Sequence, residues 1–171
     1  MHSPSPVAPF ADLLADVAAD LRRGACCLIT ADKGWTHLLF HDLRERLRAF
    51  NVHCEYIDGR PVPGEGRPED VGIMLTAITQ LRRAIRKAAG EAIVAIPHLD
   101  VMATSDGGWT NISREVVPLL YEESGIVLLG FRDPTLPLLP VVEKLFPRRY
   151  TVEQPFREPS YGSGMAGTAE L

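Results

Sequence analysis

The sequence predicts an α/β domain, a three-layer α/β/α sandwich around a five-stranded parallel sheet. Three observations predict it. Short, continuously apolar segments recur along the chain, as strands buried on both faces of a sheet require. Segments with apolar residues at helical spacing alternate with them. No segment alternates strictly between polar and apolar, as a half-wet antiparallel strand would. A length of 171 residues allows one such core and hardly two.

Phe10 to Arg23 places Phe10, Leu13, Leu14, Val17, Ala18 and Leu21 on one helical stripe, and Gly24 closes it. Ala25 to Thr30 is the first apolar strand. A loop at Ala31 to Trp35 leads into a helix over Thr36 to Phe50, with Leu38, Leu39, Leu43 and Leu47 buried. Val52 to Ile57 is the second strand, and Asp58 to Pro68 is a loop rich in proline and glycine. A long helix comes next, over Val71 to Ala89. Its buried face is Ile73, Ala77, Ile78, Leu81 and Ile85, and Arg82, Arg83, Arg86 and Lys87 crowd its last turns, where cations suit the helix dipole. Ala92 to Ile96 is the third strand, Ile112 to Glu123 a helix, and Ile126 to Phe131 the fourth strand. A short helix over Leu138 to Leu145 and a strand over Arg149 to Val152 complete the pattern. Residues 1–9 read as a flexible leader and 157–171 as a disordered tail or linker.

The 18 basic and 22 acidic residues give a net charge of -4, which argues against a nucleic-acid binder. No apolar run approaches the roughly 18 residues that span a bilayer, so no membrane partner is expected. Three cysteines, Cys26, Cys27 and Cys54, imply no disulfide framework and fit a reducing, cytoplasmic setting. All three read as small core residues. In an open parallel sheet the functional loops lie past the C-terminal strand ends, here just after residues 30, 57, 96 and 130.

Those loops carry a resemblance. Gln80 through Ala103, a helix running into Ala92-Ile93-Val94-Ala95-Ile96 and then Pro97-His98-Leu99-Asp100, resembles the helix-to-Walker-B segment of the AAA-type ATPases, members of the P-loop NTPase superfamily. Ile126-Val127-Leu128-Leu129-Gly130-Phe131-Arg132-Asp133-Pro134 resembles the sensor-1 strand of that family. Phe146 to Val152 resembles the segment entering its fifth strand. The resemblance spans residues 10–156 in element order and implies an AAA-like core without the helical lid that normally comes after it in the family.

The signature residues themselves are replaced. A P-loop uses Gly-x-x-x-x-Gly-Lys-Ser/Thr, so that backbone N–H groups, a lysine and a metal-binding hydroxyl surround the phosphates. The aligned stretch here is Ala31-Asp32-Lys33-Gly34-Trp35-Thr36-His37-Leu38. Ala31 and Thr36 stand at the glycines, His37 at the lysine and Leu38 at the hydroxyl. Pro97 and His98 stand where Walker B keeps its two carboxylates, and Phe131 or a neighbour takes the sensor asparagine position. The loop Arg60 to Gly66 lacks the aromatic of a substrate-threading pore.

The resemblance and these replacements together imply a catalytically inactive, pseudo-ATPase domain acting as an assembly, scaffold or regulatory module. No cofactor is expected, with ATP or ADP the nucleotides that the resemblance would bring. The expected partners are other AAA-type subunits or domains, a protein adaptor, or further copies of the chain. One alternative is a nucleotide-binding domain with an altered P-loop, and another is a non-catalytic clamp-loader-like subunit.

Several positions have a plain reading beside the sharp one. Lys33 and Gly34 contact a phosphate from a shortened loop or form a turn capping the next helix. His37 and His41 share metal-pair spacing but lack an obvious third ligand, and read as a surface or half-buried pair. Asp100 matches the family's second aspartate and reads as a cap or the partner of a nearby arginine. Asp106-Gly107-Gly108-Trp109 reads as a turn with an exposed indole, either a partner contact or a packed lid over the sheet. Arg148 and Arg149 match the region of the family's trans-acting arginine, which serves a neighbouring subunit's nucleotide in a ring.

Overall fold

The computed structural model describes residues 5–57, 79–84, 92–122 and 125–153. Five strands form one parallel sheet: β1 Cys27–Thr30, β2 His53–Tyr56, β3 Ala92–Ile96, β4 Val127–Arg132 and β5 Arg148–Thr151. Their spatial order is β2-β3-β4-β1-β5. The register sets Cys27 beside both Leu129 and Arg148, Ile93 beside Val127, and His53 beside Ala92. The helices are α1 Ala11–Arg22 and α2 Thr36–Arg48, α3 with residues 79–84 described, then α4 Asn111–Glu122 and α5 Pro140–Glu143.

The apolar strands are explained by two separate cores. Successive side chains of a strand point to opposite faces, so Cys27 and Ile29 join one cluster and Leu28 the other. On the first face Leu14, Val17 and Leu21 of α1 and Leu39, Leu43 and Leu47 of α2 pack on Ile29, Ala95, Leu129 and Phe131. On the second, Leu81 of α3, Val116, Val117 and Leu120 of α4 and Val142 of α5 pack on Leu28, Val94, Ile96 and Leu128. Full burial of one such side chain contributes roughly 1.5–3 kcal/mol. The order of three layers is therefore α1 and α2, then the sheet, then α3 to α5.

Two left-handed residues turn the first helices back into strands. Gly24, at φ +87°, ends α1 and lets the Ala25 N–H donate to the Asp20 carbonyl at 3.0 Å. Asn51, at φ 59°, does the same for α2, and the Val52 N–H donates to the Leu47 carbonyl at 3.0 Å. A second glycine serves packing. A Cβ on Gly130 of β4 would lie 2.4 Å from Leu99 and 2.7 Å from Phe146, so the bare backbone is what lets the turn after β3 lie close on the sheet.

The N-terminal boundary differs from expectation. Val7 is buried in the first core and Ala8–Phe10 forms a 3-10 turn leading into α1, because an apolar side chain at that point gains by leaving water. The flexible leader expected over 1–9 therefore does not extend through Val7. The loop at Asp58 to Pro68, most of the helix expected over Val71 to Ala89, and the tail 157–171 lie outside the described residues. Among the described residues no helix is long and apolar enough to cross a membrane.

Candidate functional site

The order β3-β4-β1 brings three strand exits side by side, and the segments beyond them meet. After β1 the chain makes a 3-10 turn, Lys33–Trp35, and enters α2 at Thr36. After β3 it makes another, Leu99–Met102. After β4 comes Asp133, buried, with Thr135 beyond it.

Lys33 ties the three exits together. Its ammonium lies 2.7 Å from the Asp100 Oδ2, and its backbone N–H donates to the Asp133 Oδ2 at 3.2 Å. Asp32 caps its own turn: its Oδ1 accepts the Gly34 N–H at 2.8 Å. Two backbone donors of the turn that leads into α2, the Lys33 and Gly34 N–H groups, are thus occupied by carboxylates of the chain itself. Asp133 also accepts the Thr135 N–H at 2.9 Å and the Thr135 hydroxyl. Those bonds, the Thr135 hydroxyl foremost, hold its carboxyl below the usual range and keep it charged.

Asp100 is the buried member. Its side chain is 4% exposed against 47% for Lys33. Its second oxygen, Oδ1, has no hydrogen-bond partner among the described residues. Lys33 is therefore the group that compensates a carboxylate inside the protein.

The structure places each expected site residue. Lys33 and Gly34 lie in a 3-10 turn that leads into α2. Trp35 is half-buried and packs edge-on against Phe10, ring centres 5.9 Å apart. Thr36 is buried, and His37 and His41 are exposed on α2. Pro97 is buried and His98 exposed at the exit of β3, and Phe131 lies in the first core. Asp100, expected as a cap or as the partner of a nearby arginine, is paired with Lys33, because the strand order leaves only β4 between the exits of β1 and β3. Cys26, Cys27 and Cys54 are free thiols. Cys27 and Cys54 are buried on β1 and β2, which are separated by β4 and β3. No cluster of His, Cys, Asp or Glu able to hold a metal ion occurs among the described residues.

Arg148 and Arg149 open β5 at the other, N-terminal edge of the sheet. Arg148 lies 3.8 Å from Asp20. Arg149 bonds the Glu143 carboxylate at 3.0 Å and the Phe146 carbonyl at 3.2 Å. Asp20 is buried and also accepts from Tyr150 and Arg23.

Asp133 and Asp32 hold the site together, yet neither stands out from the sequence. The available signal is local: an aspartate one or two residues beyond an apolar strand, with proline and threonine or glycine after it, is turn chemistry placed at a functional edge.

No family model matches this sequence, and no curated protein matches it. Among solved structures, a chain of one described as "Structure of E. coli MS115-1 HORMA:CdnC:Trip13 complex" is similar at 16% identity with a TM-score of 0.46. The likeness covers 87% of this chain and 58% of that one, so this chain spans less than two thirds of its neighbour's length.

Proposed function

We propose that this chain is a catalytically inactive domain of the AAA-like, P-loop NTPase kind that works by associating with other protein subunits. The observation that carries the reading is the contact of Lys33 with Asp100 at 2.7 Å. The cation nearest to a phosphate position is committed to a buried carboxylate. The neighbouring backbone donors at Lys33 and Gly34 are committed to Asp133 and Asp32.

Phosphoryl transfer depends on preorganised charge around the transferring group. Loss of one such donor typically costs about 3 kcal/mol of transition-state stabilisation, near a hundredfold in rate. Here His37 stands for the lysine, Leu38 for the metal-binding hydroxyl, and Pro97 and His98 for the two acids. An incoming triphosphate would meet Asp32, Asp100 and Asp133 around a single ammonium. The two-faced apolar core remains in good order, a scaffold able to hold a surface in place.

Release of inorganic phosphate from Mg-ATP and Mg-GTP tests the reading. The expected result is no turnover above buffer. Steady turnover that is lost in His37→Ala or His98→Ala would overturn it and favour the altered P-loop alternative.

A further inference from the structure

Aspartate followed by glycine is a sequence whose side chain can be captured by its own backbone. Glycine has no Cβ to shield its nitrogen, so the amide of Gly107 can close on the carboxyl of Asp106. An N–Cγ bond forms, the Cγ–OH bond breaks, and the hydroxyl leaves as water with the amide proton. Water then opens the five-membered imide. Where it cleaves the bond between the Gly107 nitrogen and the Asp106 main-chain carbonyl, the chain runs on through Cβ and Cγ as isoaspartate. No reagent but water takes part. The sequence holds a second such pair, Asp58-Gly59, which lies outside the described residues.

Asp106 is exposed in the short loop between Ala103 and Trp109. Those two residues close the loop as an antiparallel bridge, and Trp109 is 45% exposed beside it. Within the loop both reacting groups are already engaged, and Thr104 engages them both. The Gly107 N–H donates to the Thr104 carbonyl, and the Thr104 N–H to the Gly108 carbonyl, each at 2.9 Å. The Thr104 hydroxyl donates to the Asp106 Oδ1 and accepts the Gly108 N–H at 2.8 Å. That hydroxyl first, and the Gly108 N–H second, hold the Asp106 carboxyl below the usual range. It stays in the charged form, which has no hydroxyl to lose. Gly107 sits at φ +84°, the left-handed conformation that a turn this tight needs. Ring closure therefore asks the nitrogen to leave one partner and the carboxylate to leave two.

We propose that Asp106-Gly107 is a site of spontaneous backbone modification that Thr104 keeps closed, and that opening of the loop lets Asp106 convert to isoaspartate. The conversion adds one carbon to the main chain between the two residues of the Ala103–Trp109 bridge, and so it unlatches Trp109. The chemistry is intramolecular. It stands or falls independently of any nucleotide or subunit that the chain binds.

Incubation of the full chain in neutral buffer, native and in urea, with isoaspartate at each site read by peptide mapping, tests it. The product keeps the mass of the starting chain, so the peptides are told apart by retention and fragmentation. In urea Asp106 and Asp58 should convert at similar rates. In the native chain Asp106 should convert about tenfold more slowly or less, as a group does that reacts only when one or two hydrogen bonds open. Thr104→Val removes the hydroxyl and should speed native conversion at Asp106 by about fivefold. Thr104→Ser keeps the hydroxyl and should leave the rate as it is. The comparison of native with unfolded wild type needs no variant, so a misfolded Thr104→Val leaves the test intact. Equal rates at Asp106 in the native chain and in urea overturn the proposal, as does a folded Thr104→Val that converts no faster than the wild type.

Discussion

Lys33 reaches from the turn after β1, past the exit of β4, to Asp100 at the exit of β3, with 2.7 Å between ammonium and carboxylate. The two strands are not neighbours. One side chain therefore spans the middle of the sheet's functional edge, and its backbone is held on the way by Asp133.

The partners in this pair are unequal, and their replacements should be too. Lys33→Met strands a buried carboxylate whose other oxygen already lacks a partner, and should cost roughly 2 kcal/mol or more. Asp100→Asn releases a half-exposed lysine to water and should cost about 1 kcal/mol or less. Urea unfolding of both variants checks the order, and equal losses would refute it.

Gly130 should tolerate no side chain. A methyl group there meets Leu99 and Phe146 well inside contact distance, within a core that has no slack. Gly130→Ala should lower stability by about 2–3 kcal/mol, read as a drop in thermal midpoint. Phe146→Leu added to it should recover part of the loss by clearing one of the two clashes.

Asp20 ties the end of α1 to β5. The Tyr150 hydroxyl first, and Arg23 second, hold its carboxyl below the usual range. Burial, and then the bond to Asp20, push Tyr150 up to about 12. A depressed acid stabilises the fold above its unfolded value, about 4, and the benefit is lost as pH falls through the folded value. A raised tyrosine stabilises below about 10, and that benefit is lost as pH climbs toward 12. Tyr150→Phe should therefore cost about 1 kcal/mol at pH 7, with the gap to wild type closing in acid and again in strong base. A gap that stays constant from pH 3 to 11 would exclude this coupling.

Thiol labelling should report folding. Burial pushes Cys27 and Cys54 up to about 12 and raises Cys26 as well. At pH 8 only about one in ten thousand of the first two is thiolate, the reactive form. A disulfide reagent should modify them slowly in the native protein and all three at once in urea. Rapid native labelling of Cys54 would contradict the packing described.

Periodicity makes the central elements legible in the sequence, because the apolar runs of β1, β3 and β4 and the apolar stripes of α1, α2 and α4 are buried, whereas β5 is mostly exposed and β2 buries Cys54 alone. Gly24 announces its own turn, whereas Asn51 gives little notice, since asparagine takes the left-handed conformation only where context demands it. The contacts that fill the site are not legible in the sequence. Lys33 and Asp100 lie far apart in sequence, and nothing in either segment encodes that β4 inserts between their strands. Asp133 looks like the end of a strand until the sheet order sets it beneath the Lys33 amide. Val7 escapes a sequence reading for a related reason: it is buried in a core assembled from α1, α2 and the sheet, beyond the reach of any local pattern.

Isothermal titration of the chain with ATP, with and without Mg²⁺, bears most directly on the claim that internal carboxylates hold the donors a nucleotide would need. No saturable heat up to about 1 mM is the predicted outcome, for wild type and for Lys33→Ala alike. Micromolar saturation in the wild type that disappears in Lys33→Ala would contradict it.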